Sequence, residues 1–188
     1  MGYSISWMAL QGKNKGEVLA LASFVDTGKP DEANEAPVSV SSLQLGWTVL
    51  FFNDYDAITP ARLAAWSDGC RVVACQVEEH VMASNVVLYE DGRHLWTVSH
   101  QSDQGLYDLT VQGSPPEPFE DIKKRLFERQ DENEGGAADV DYVFDVPLEL
   151  AAILCGYRHD ESKYPWGRPV FTEVANKRRS LWSKLGFG

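Results

Sequence analysis

The hydrophobic positions change period along the chain, and each period predicts an element. Residues 3–10 alternate Tyr3, Ile5, Trp7 and Ala9 against their neighbours, the two-residue period of a strand. In residues 15–24, Val18, Leu19, Ala22 and Phe24 gather on one side, as in a short amphipathic helix. The stretch DTGKPDEANEAP (26–37) is polar, with two prolines and a glycine, and reads as a surface loop. Residues 38–52 hold two strand-like runs separated by Gly46. A helix follows over 59–68, with Thr59 as N-cap, Pro60 in the first helical position and Gly69 at the stop.

The valine-rich stretch 70–83 predicts a long strand, and 85–100 predicts a hairpin. Asp91-Gly92 between two alternating runs specifies a type I′ turn, because both turn residues need positive φ. The implied register sets Glu90 opposite Arg93, Tyr89 opposite His94, Leu88 opposite Leu95 and Val87 opposite Trp96. Residues 105–111 supply a further strand, which completes a meander.

The composition shifts at SPPEP (114–118). A helix over 118–130 then carries Phe119, Ile122, Leu126 and Phe127 on one stripe. The stretch 131–145 holds six acids and no base, and its first half reads as a loop. Val140, Tyr142 and Phe144 suit a short strand. Asp145 suits the N-cap of a helix that runs to Gly156. Residues 157–175 have no clear period, and a basic helix closes the sequence over 176–185.

Strands first and helices later predict an α+β class. The expected organisation is one domain over 1–188, sheet-rich to 113 and helix-rich from 114, with a mostly antiparallel sheet. The helices at 59–68, 118–130 and 146–155 are expected to cover one face of that sheet. Six Trp, seven Tyr and eight Phe argue against disorder, and 188 residues can bury a sizeable core without metal or disulfides. The odd number of cysteines (Cys70, Cys75 and Cys155) makes a disulfide framework an unsuitable reading. No cationic, apolar leader and no membrane-length apolar run occur, so the cytoplasm is the expected location.

Net charge is −11, which disfavours nucleic acid and anionic lipid as partners. The charge is uneven. Residues 162–188 hold Lys163, Arg168, Lys177, Arg178, Arg179 and Lys184 against Glu173, a net of +5 that leaves −16 for residues 1–161.

Templates for chemistry fail one by one. There is no phosphate loop, no dinucleotide fingerprint and no nucleophile elbow, so no cofactor is expected. Asp131, Asn133 and Gly136 begin like a calcium loop, but Tyr142 stands where the final glutamate belongs. A His/Glu grouping is what survives. Glu78 and His80 share a strand face, and His94 and His100 share a hairpin face. If those strands are neighbours, a two-histidine, one-carboxylate metal site could form.

Three functions follow. The leading expectation is a non-enzymatic module that binds a basic protein partner, as a bacterial immunity protein or antitoxin does. It would use the acidic residues Asp131, Glu132, Glu134, Asp139 and Asp141 and, on the final helix, Arg178, Arg179 and Trp182. The second is a small metal-dependent hydrolase built on the His/Glu grouping. The third is a self-assembling structural protein whose basic helix docks on an acidic neighbour. The aromatic residues Tyr157, Tyr164, Trp166 and Phe171 read as staples holding irregular chain to the sheet, with binding anchors as the alternative.

Overall fold

The computed structural model describes residues 2–133, 140–161 and 163–177. Nine strands make one sheet: β1 (Ser4–Gln11), β2 (Phe24–Pro30), β3 (Val38–Ser42), β4 (Trp47–Phe52), β5 (Arg71–Glu78), β6 (Ala83–Glu90), β7 (Arg93–Gln101), β8 (Thr110–Gly113) and β9 (Thr172–Asn176). Among the described residues, four α-helices accompany them: α1 (Lys15–Ala22), α2 (Pro60–Trp66), α3 (Pro118–Glu132) and α4 (Asp145–Cys155). The sheet order is β2-β9-β3-β4-β1-β5-β6-β7-β8, and every neighbouring pair is antiparallel. The fold is the α+β arrangement that the hydrophobic pattern predicts.

The expectation that helices cover one face is corrected. The sheet is buried on both. Trp7, Val49, Phe51, Cys75 and Val98 face α3 and α4. Met8, Leu50, Phe52, Val72 and Ala74 face α1 and α2. The central strands are buried almost throughout for that reason: all six residues of WTVLFF in β4 are buried, Thr48 included. A strand with two dry faces loses the alternation that marks a half-exposed one.

Two strands lie where the pattern is weakest. β2 occupies much of the predicted polar loop. It is an exposed rim strand, a place that tolerates its Gly28 and Pro30. β9 comes from the segment without clear period and inserts between β2 and β3. Conversely, 140–144 forms turns instead of a strand. The Asp141 carboxylate accepts the Phe144 N–H at 3.1 Å, which steers the chain into α4. Asp145 is not the N-cap of α4; its carboxylate takes an N–H from Arg158 at 2.6 Å. α2 stops at Trp66, before Gly69, and the strand expected over 105–111 is β8, which starts only at Thr110. Other local signals act as read. Thr59 accepts the Arg62 N–H at 3.3 Å, Pro60 opens α2, and Gly156 ends α4 at φ 72°. The predicted basic helix runs almost wholly over residues outside the described ones, and Asn176 ends β9.

The hairpin turns at Asp91 (φ 50°) and Gly92 (φ 76°), and its first two pairs are as expected. Beyond them a β-bulge at Leu95 shifts the register, so Leu88 faces Trp96 and Val87 faces Thr97. The bulge also inverts the facing of everything after it. Trp96, Val98 and His100 turn to the α3/α4 face, whereas His94 stays beside Tyr89 on the other.

Gly113 makes β8 possible. Its φ is +76°, and a Cβ there would sit 2.2 Å from the Leu95 carbonyl oxygen and 2.9 Å from Trp96 Cα. Both are backbone atoms in the bulge and cannot swing aside. Gly113→Ala is therefore expected to detach β8 and cost about 1–3 kcal/mol. Amide hydrogen exchange checks this: protection should fall in 110–113 and 96–99 while β1 and β5 keep theirs.

Candidate functional site

The sheet places several strand ends together. Ser4 pairs with Glu78, and both Ser6 and Val38 pair with Phe52, so the start of β1 and the ends of β4 and β5 meet at one end. Asn53 follows Phe52 there. Its amide donates to the Ala36 carbonyl at 2.8 Å and also to that of Asn34, which pins the 31–37 loop beside it. On the α3/α4 face, the chain leaving α4 at Gly156 crosses toward the same end as Tyr157-Arg158-His159-Asp160.

Each of these four side chains has a distinct environment. Tyr157 is 2% exposed, with its ring edge-on to Trp7 at 5.1 Å and against Phe171 at 5.8 Å. Its hydroxyl has no hydrogen-bond partner, and burial raises its pKa far above that of a free phenol. Arg158 binds Asp145 at 2.6 Å and Asp160 at 2.7 and 2.9 Å, which locks the turn. Burial disfavours the Asp160 carboxylate, but the Arg158 bonds outweigh it and hold the group below its usual range. The Tyr164 hydroxyl receives the Arg158 N–H at 3.2 Å and donates to the Arg158 carbonyl at 2.6 Å.

His159 has a side chain 1% exposed and lies edge-on to Tyr3 at 5.0 Å. Neither ring nitrogen is hydrogen-bonded; the nearest carboxylate oxygen, of Asp160, is 3.9 Å from Nδ1, beyond bonding range. Burial is the main cause that pushes its pKa down to about 4, so the imidazole is neutral at neutral pH.

Tyr157 and His159 line one cleft of about 560 Å³, walled by Tyr3, Phe51 and Phe171. Its mouth carries Glu32, Glu35, Asp160 and Glu161, all exposed. Arg168 lies beside them and donates to the Glu32 carbonyl at 2.7 Å. A phenol and a neutral imidazole can both donate and accept hydrogen bonds. They form no nucleophile–base pair with a cysteine here, for Cys70, Cys75 and Cys155 are all buried and burial raises each thiol pKa.

The residues expected from the sequence are scattered. His80 is exposed at the end of β5, with Nδ1 2.6 Å from Glu78. The Ser4 hydroxyl and then His80 hold Glu78 below the usual carboxylate range. His94 lies by the hairpin turn, at the opposite end of the sheet, 2.7 Å from the Thr97 hydroxyl. His100 is fully buried, with both nitrogens bonded to protein groups. Among the described residues, no three His, Cys, Asp or Glu side chains are placed to hold a metal ion.

The expected acidic partner surface is divided. Asp131 and Glu132 end α3 in exposed positions, and Asp131 accepts the Tyr107 hydroxyl. Asp141 turns inward to His100 and is nearly buried. Glu134, Asp139, Arg178, Arg179 and Trp182 lie outside the described residues.

The cleft was visible in the sequence only as a dense group of aromatics after the Gly156 helix stop. Tyr157, Tyr164 and Phe171 do staple that segment. What the pattern did not show is that the staple leaves the polar atoms of Tyr157 and His159 unused, beside a loop 120 or more residues away in sequence.

Comparison of the chain with known protein families, with curated proteins and with solved structures finds no match.

Proposed function

We propose that the protein is a non-catalytic binding module for a basic protein partner, in the manner of an immunity protein or antitoxin. The observation that carries this reading is the acidic end of the sheet. Glu32, Glu35, Asp160 and Glu161 ring the cleft mouth, while Asp54 and Asp56 follow β4 in a short 3-10 turn and Glu79 follows β5. These carboxylates come from four separate stretches of chain that meet only in the fold. Such a surface would steer a positively charged partner and fix its register, since complementary charge acts chiefly on encounter rate and specificity.

The tagged protein, passed through an extract of the cells that make it at low salt, is expected to retain one basic protein in stoichiometric amount. The variant Glu32→Lys/Glu35→Lys/Glu161→Lys should slow association about 10- to 100-fold without changing thermal stability. Absence of any stoichiometric basic protein, or equal retention by the charge-reversed variant, defeats the proposal.

A further inference from the structure

The cleft has more than a charged mouth. Two side chains in it, His159 and Tyr157, are almost fully buried and keep hydrogen-bonding capacity that no protein group uses. An unused buried polar group is unfavourable, and a ligand that bonds to it removes that cost. We propose that this cleft is a receptor for a guanidinium group, the side chain of an arginine presented by the basic partner. The inference rests on the reading that the partner is basic, and it names the group that anchors it.

Three features select that chemistry. First, the mouth charge, four carboxylates beside Arg168, favours a cation and repels a phosphate or carboxylate. Second, unused acceptors lie just under the floor, each with its polar atoms buried, and the ligand reaches them by displacing the side chains that cover them. A neutral imidazole keeps one unprotonated nitrogen, and the phenol oxygen keeps lone pairs. A guanidinium has five N–H donors in a planar fork to fill them. The burial that holds His159 at about 4 keeps that nitrogen available at neutral pH. Third, Tyr3 is 43% exposed and offers an aromatic ring to the cleft, backed by the nearly buried rings of Phe51 and Phe171. A flat, weakly hydrated guanidinium stacks on such a ring better than a compact, strongly hydrated ammonium. At about 560 Å³ the cleft lies within the usual range for a ligand site, with room for the side chain and the residues that flank it.

The full chain would be titrated with methylguanidinium, with an acetylated and amidated Gly-Arg-Gly peptide, and with the matching Gly-Lys-Gly peptide. Calorimetry reads binding, and the ¹⁵N resonances of the His159 ring read its place. The arginine peptide is expected to bind saturably and shift both His159 nitrogens, and the lysine peptide to bind about fivefold or more weakly. Glu35→Gln/Glu161→Gln alters only exposed mouth residues and should weaken the arginine peptide about tenfold at unchanged thermal stability. His159→Phe should abolish its binding. If that variant does not fold, the mouth variant still decides the matter. Saturation by methylguanidinium without binding of the peptide assigns the cleft to a small free cation and overturns the arginine anchor. Failure of both guanidinium probes to move His159 overturns the site itself. Capture of a basic protein in the extract experiment, undiminished by His159→Phe, would show that the partner reading stands while this anchor falls.

Discussion

Replacing His100 by alanine is expected to destabilise the protein by about 3–5 kcal/mol, because it strips a nearly buried carboxylate of its counter-charge. His100 is 0% exposed. Its Nδ1 lies 2.6 Å from the Asp108 carbonyl and its Nε2 lies 2.9 Å from the Asp141 carboxylate. Both partners are acceptors, a geometry that the doubly protonated ring satisfies, and both bonds strengthen the ring's hold on its second proton. The ring ties β7 to the chain before β8 and to the turn before α4. Asp141→Asn should cost a similar amount, since it leaves the ring without its carboxylate. Urea unfolding of the two single variants and the double variant measures the coupling; losses that simply add would show that the pair does not act as a unit.

The same pair sets a pH dependence. Burial alone would lower the His100 pKa, but the bonds to Asp141 and Asp108 outweigh it, and the folded value lies above the ordinary 6.5. A raised folded pKa means that the folded state holds the proton more tightly than the unfolded chain. The stabilisation is therefore complete below about 6.5 and is lost as pH climbs through the folded value. The gap in stability between the wild type and His100→Gln should narrow as pH rises over that range. A gap that widens would reject a protonated His100 ring.

Trp7→Ala and Met8→Ala are expected to cost about 3–5 and about 2–5 kcal/mol respectively. The two residues are neighbours in β1 and point to opposite faces. Trp7 is 1% exposed and packs on the α3/α4 side against Tyr157; Met8 is 0% exposed and packs on the α1/α2 side. In a sheet covered on one face, one of the two would be close to neutral. Similar, large losses in urea midpoint from both variants are the signature of a core on each side. A loss below about 1 kcal/mol from Met8→Ala would contradict the second core.

How far each feature could be read depends on the range of the interaction that makes it. The Thr59 cap, the Gly156 stop and the Asp91-Gly92 turn depend on a few adjacent residues, and they stand where the local chemistry puts them; the Asp145 cap does not, because Arg158, far from it in the local pattern, claims its carboxylate. The period of α3 survives because one helix face meets one apolar surface. The hairpin shows where this kind of reading ends. Its turn is local and correct, but the bulge at Leu95 answers to the contact with Gly113 on β8. That single inserted residue turns His100 inward and away from His94, which dissolves the metal site that strict alternation suggests.

The sequence by itself determined the α+β class, the antiparallel meander, the positions of α1 to α4 and the acidic imbalance of the body, because each follows from short-range pattern or composition. Only the tertiary structure decided that the sheet has two dry faces, that residues 24–30 and 172–176 pair at its rim, and that His100 is buried between the Asp108 carbonyl and the Asp141 carboxylate. It also decided that Tyr157 and His159 meet the 31–37 loop in one acid-mouthed cleft. All of these depend on contacts between residues far apart in the chain. No local propensity encodes them, and they exist only once the strands have found their order.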